Sequence, residues 1–315
     1  MVGLDYFIVD VFTEMALAGN PLAVVMDSMG LSTERMQAIA REFNLSETTF
    51  VRRRDSAIEK SEGVRVRIFT TQEGLNFAGH PTLGTASVLK LHAPETMRGD
   101  TVTLAQNVGP VPVRFVERDA SAQGLFGEMT QHEPEFGPEL DRMQVAKLTG
   151  LEVADLDPAL PAQIVSTGTA FAIVPLRSAE SLARLKVQVD EATAWLREQG
   201  ARWFYVLGQV SESKEGHVLQ YRARMQFHGG EDPATGSAAG CAISYLVGRG
   251  AVAAGERIHL RQGIEMGRPS DLFLSAKLES GKVSDVRESL AALFLWQKDS
   301  FSCRDAHAFN RYSSS

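Results

Sequence analysis

A chain of 315 residues exceeds the size at which one hydrophobic core usually stops growing, so two domains are the expectation. A formal net charge of −7, with 44% hydrophobic and 23% charged residues, fits a globular protein and argues against a surface that tracks nucleic-acid phosphates. Two cysteines, Cys241 and Cys303, exclude a disulfide framework and a Cys-x-x-Cys metal site, and no apolar run reaches the roughly 18 residues that span a bilayer.

Asp5 and Asp10 are unlike a secretory signal, and a cytoplasmic location is expected. Residues 6–12, β-branched and aromatic, read as a buried strand. Gly19-Asn20-Pro21 marks a turn before a second strand at 22–26. Ser32 caps a helix with Glu34 in its first turn and an apolar face of Met36, Ile39, Ala40 and Phe43. Asn44 ends that helix in a left-handed conformation. Arg52-Arg53-Arg54 reads as a solvated loop. Val64, Val66 and Ile68 alternate with Arg65 and Arg67 as in a half-buried strand. Strands near 101–105 and 111–116 and a helix over 82–91 complete the first half. The polar stretch 117–138, bearing Gly and Pro, reads as a linker or boundary. Beyond it, helices at 139–149 and 190–199 close on Gly150 and Gly200, with strands at 171–176, 203–207 and 218–226. The class is α+β.

An internal repeat organises these elements. His80-Pro81-Thr82-Leu83-Gly84-Thr85-Ala86 aligns with Asp232-Pro233-Ala234-Thr235-Gly236-Ser237-Ala238, about half a chain length later. Both copies open an apolar helical run. Proline suits the first helical position, which makes His80 and Asp232 the expected caps. The amides just beyond are natural seats for a carboxylate, and small residues such as Gly79, Gly236 and Ser237 permit close approach. If a pseudo-twofold axis relates the halves, the two helix starts face one cleft, where they can hold a small carboxylic acid and stabilise charge as a proton leaves. Glu47, after a helix and at the start of an apolar strand, is the candidate proton carrier, because burial raises a carboxyl pKa. The plainer alternatives stay open: Glu47 as a local cap or ion-pair partner, His80 and Asp232 as caps alone. No Walker lysine, Gly-x-Gly-x-x-Gly or nucleophile elbow accompanies these glycines, and the other histidines lack metal-ligand spacing, so neither metal nor organic cofactor is expected.

Residues 45–51 (LSETTFV), 67–86 (RIFTTQEGLNFAGHPTLGTA), 230–240 (GEDPATGSAAG) and 262–270 (QGIEMGRPS) strongly resemble the PhzF-like phenazine-biosynthesis family. The resemblance runs in order from about residue 5 to about residue 287. It implies a diaminopimelate-epimerase-like fold: two similar domains, each a rolled, mostly antiparallel sheet around a central helix, with the active site between them. The boundaries this gives are 1–118, 119–297 and a tail at 298–315. It further implies a cofactor-independent isomerase acting on a small carboxylic acid, in a homodimer. Glu47 matches the family's acid/base glutamate, and His80 and Asp232 match its Gly-His-Pro and Asp-x-Ala-Thr-Gly-Ser positions. Ser46, Gly79, Gly236 and Ser237 match substrate-contacting positions. The related epimerases use a cysteine from each domain, whereas Cys241 is displaced, which disfavours a two-thiol racemase. A catalytically weak binding member and an amino- or hydroxy-acid epimerase remain as rivals. Two segments depart from the family. Gln72–Asn76 differs before the Gly-His-Pro motif, and 288–297 is a helix-leaning run where family members carry a final strand. Loss of that strand would expose a sheet edge.

Overall fold

The computed structural model describes residues 3–116, 124–210, 218–227 and 230–302. Six α-helices occur among them: α1 (Thr33–Phe43), α2 (Ser56–Glu62), α3 (Gly79–His92), α4 (Arg142–Thr149), α5 (Val189–Gln199) and α6 (Gly236–Gly248). The local signals act as the residue chemistry dictates. Ser32 Oγ accepts the Arg35 N–H at the start of α1, and Asn44 ends it with φ 51°. Gly150 and Gly200 close α4 and α5 with φ 69° and 87°.

The first half is a ring of strands. Gly3–Val11, Asn20–Val25, Glu47–Arg52, Val64–Phe69, Thr101–Gln106, Gly109–Val116 and Leu125–Thr130 pair successively around it. The long strand Lys282–Ser302 closes the ring, pairing with Leu125–Thr130 on one side and Gly3–Val11 on the other. Helix α3 runs through the middle and is buried from Gly79 to Leu89. A helix apolar on every side belongs inside.

The second half repeats the plan. Glu135–Glu139, Gln163–Ser166, Ala170–Leu176, Trp203–Gln209, Gln220–Arg224, Ile258–Gln262 and Ser270–Glu279 pair in that order, ending again on Lys282–Ser302. Helix α6 is their buried centre. Most pairings are antiparallel, and the last strand belongs to both rolls. The α+β, two-roll architecture expected from the sequence is the one observed.

Several expectations need correction. Residues 288–297 are strand rather than helix. Their Leu- and Ala-rich composition favours helix, but the facing edges of Leu125–Thr130 and Gly3–Val11 carry backbone groups that an inserted strand satisfies. Residues 298–302 of the supposed tail extend it, and 303–315, with Cys303, lie outside the described residues. The stretch 117–138 contains the strand Leu125–Thr130 and the start of Glu135–Glu139, while 117–123 lie outside the described residues. The arginine run is half-buried and paired: Arg53 with Glu59 and Glu95, Arg54 with Glu62, the glutamates of α2 arriving on a helix capped by Asp55. Among the described residues no helix is long and apolar enough to cross a membrane.

Candidate active site

The two central helices meet end to end across the molecule. A Cβ built on Gly79 would stand 3.4 Å from Gly236 Cα and 3.5 Å from the Ser237 nitrogen. The caps differ from the sequence expectation: Ala78 precedes α3 and Thr235 precedes α6, and neither makes a side-chain cap hydrogen bond. His80 therefore sits inside the first turn of α3, and Asp232 lies three residues before the cap of α6. Proline tolerates any first-turn position, since those amides have no intrahelical partner, so Pro81 does not mark the helix start.

Around this junction the structure collects the residues singled out in the sequence. Glu47 begins the strand Glu47–Arg52 and lies opposite Leu22 in a parallel pairing. Its Oε2 is 3.4 Å from His80 Nε2. That approach is not an ion pair. Burial pushes the imidazole down to about 3 and the Glu47 carboxyl well up, a rise that the Asp232 charge reinforces, so both groups are neutral near pH 7. Neither atom has a hydrogen-bond partner. The Glu47 side chain nevertheless keeps 17% exposure. Ser46, immediately before it, and Ser237, in the first turn of α6, are half-buried, and Gly79 and Gly236 are buried between the helices.

Asp232 is fixed from both halves. Asn20 Nδ2 donates to its Oδ1 at 2.9 Å, and Thr235 Oγ1 donates to its Oδ2 at 2.7 Å. Burial raises its pKa and these two bonds oppose the rise. The Asp232 charge in turn adds to the rise of the Glu47 carboxyl, after burial. A dry acid beside a neutral histidine and a hydrogen-bonded acid, under two uncapped helix starts, can exchange a proton with an anionic ligand.

Sequence reasoning missed several participants. Asn20 was read only as part of a turn, although Gly19-Asn20-Pro21 delivers it, fully buried, to Asp232. Gln262 opens the fourth family-like segment and binds the Asp232 carbonyl and Thr235. Glu288 gave no signal, because its segment read as helix. Its buried carboxyl is wedged between the two helix starts, within 2.6 Å of a Cβ built on Gly236 and 3.5 Å of one on Gly79. It accepts from Gln131 Nε2 at 3.0 Å, and burial raises it to about 7. Cys241 lies within α6, buried, with its thiol pushed up to about 11, a poor setting for a thiolate base.

Comparison with known proteins agrees with this geometry. The family model described as phenazine biosynthesis-like protein matches residues 9–290. An uncharacterized isomerase of Mesorhizobium japonicum is 36% identical, with 90% of this chain and 94% of that protein covered. The trans-2,3-dihydro-3-hydroxyanthranilate isomerase of Pseudomonas aeruginosa is 32% identical, with 90% and 94% covered. The crystal structure of the Bacillus anthracis phenazine biosynthesis protein of the PhzF family superposes with a TM-score of 0.81 at 25% identity, covering 95% of this chain and 99% of that one. With its paired rolls, its opposed helix starts and these relatives along nearly its whole length, the chain belongs to the PhzF-like phenazine-biosynthesis family of isomerases.

Proposed function

We propose that the protein is a cofactor-independent isomerase that moves a proton, and with it a double bond, within a small cyclic or unsaturated carboxylic acid. The observation that carries the reading is the Glu47 carboxyl, desolvated and 3.4 Å from the His80 imidazole. An acid raised towards neutrality by burial gives and takes a proton at similar cost. In this reading Glu47 relays the proton between two carbons of one ligand, while His80 and Asp232 orient it and assist. Its carboxylate is received by the opening turns of α3 and α6, with Ser46, Gly79, Gly236 and Ser237 around it. The activity of the Pseudomonas aeruginosa relative supports a ring acid of the dihydro-hydroxyanthranilate kind as the first probe. The proposal extends to a homodimer acting in the cytoplasm, the former measured by analytical ultracentrifugation.

The test is Glu47→Gln with that probe. The variant should fold as the parent does and lose turnover by roughly 10²-fold or more, the scale of general acid–base catalysis. Retained turnover rejects the assignment. Run in D2O, the parent should wash deuterium into the acid. A bound acid that takes up no label would make the protein a binder, and an inverted centre without a shifted double bond would make it an epimerase.

A further inference from the structure

Two carboxyls near the helix junction, Glu47 and Asp232, have unequal surroundings. Both oxygens of Asp232 accept a hydrogen bond, whereas Glu47 Oε2 has no partner. The direction of each bond is set by groups that have no choice. Asn20 Nδ2 also reaches the Ala234 carbonyl oxygen at 2.9 Å, which only accepts, so the amide nitrogen is what faces Asp232. Gln262 Oε1 receives the Thr235 backbone N–H at 3.2 Å, which only donates, and the Tyr205 hydroxyl at 2.9 Å. Gln262 Nε2 must then face the Asp232 carbonyl oxygen at 2.9 Å and Thr235 Oγ1 at 3.0 Å. Thr235 accepts from Gln262, and its single hydroxyl hydrogen is left for Asp232 Oδ2.

We propose that Asn20 and Thr235 hold Asp232 as the carboxylate of the pair and leave the pair's proton on Glu47. The inference rests on the proton-relay reading and deepens it: Asn20, Thr235 and Gln262 are positioning residues, and Glu47 carries the proton that the reaction exchanges. Two directed donors favour the ionised form of an acid, and a dry site without donors favours the neutral form. The other groups nearby do not reverse this order. His80, beside Glu47, is neutral. Glu231, whose charge acts on Asp232, is tied to Arg224 at 2.8 and 2.6 Å. Tyr205, beyond Gln262, is kept protonated chiefly by burial.

The test needs no substrate. Full-length protein carrying 13C at its Asp and Glu side-chain carboxyls is titrated by NMR, with signals assigned by their loss in Glu47→Gln, Asp232→Asn and Glu288→Gln. Glu47 should titrate at higher pH than Asp232. Thr235→Val and Asn20→Ala should each raise the Asp232 titration by about one pH unit, the scale of one hydrogen bond to a charged group, while Glu288 stays where it was. Thr235→Val keeps the side-chain shape, so it guards against a packing defect in Asn20→Ala. A higher titration at Asp232 than at Glu47, or an Asp232 unmoved in both variants, overturns the inference. The two readings fail separately. Lost turnover in Glu47→Gln with the proton found on Asp232 sinks only this one, and normal turnover there sinks the relay whatever the titration order.

Discussion

Glu288 makes the energetic cost of this site concrete. Its carboxyl is fully buried, takes one hydrogen bond from Gln131 and leaves Oε1 without a partner. Burial raises it from an ordinary 4.5 to about 7, so between those values the folded state binds more protons than the unfolded state. The stability this group contributes is therefore present below about 4.5 and is lost as pH rises through 7. The difference amounts to on the order of 3 kcal/mol. Glu288→Gln should be the more stable protein at pH 8 in urea denaturation, and that advantage should shrink towards zero near pH 4. A variant equally stabilised at both pH values would mean that charge burial is not the cause. Glu47 and Asp232, also raised by burial, add slopes of the same sign, so the parent should lose stability on the alkaline side. Gly236 belongs to the same crowded place, since a Cβ there would meet the Glu288 carboxyl.

At the scale of elements, the central helices are held by shape. Helix α3 faces strands on nearly every side, and at Gly84 a Cβ would lie 2.6 Å from Leu22 Cδ2 and 2.8 Å from Val11 Cγ2. Valine at 11 has a stiff χ1, so it cannot swing aside cheaply. Gly84→Val should cost about 2 kcal/mol or more through overpacking, read as a lower denaturation midpoint with unchanged slope. A neutral outcome would show that the strand pair Gly3–Val11 and Asn20–Val25 yields more readily than close packing implies. The repeat in the sequence located both helices, yet not their first residues. Side-chain caps are the usual signal for a helix start, and both starts lack them, with Ala78 and Thr235 in those places.

The whole molecule depends on one strand. Lys282–Ser302 is paired with Ser270–Glu279, Leu125–Thr130 and Gly3–Val11, so it ties both rolls together and carries Glu288 to the junction. A chain ending at Val286 should lose the closure of the first ring and expose two strand edges. It should aggregate or bind ANS with lost near-UV circular dichroism, whereas native-like cooperative unfolding of that truncation would contradict the topology.

Local chemistry was legible in the sequence wherever neighbours in the chain decide the outcome. The Ser32 cap, the Asn44 stop, the alternation at 64–68 and the closures at Gly150 and Gly200 are short-range effects, and they stand as read. The two duplicated helices were legible for the same reason, as motifs with fixed spacing, though not the residues at which they begin. Tertiary structure alone decided the rest. Residues 288–297 are strand because two distant edges need a partner. Asn20 reaches Asp232, Gln262 reaches Thr235 and Glu288 reaches Gln131 across separations that no local pattern encodes. Propensity acts over a few residues, whereas the desolvation and hydrogen bonding that set the proton balance of a site arise only when the two rolls close on each other.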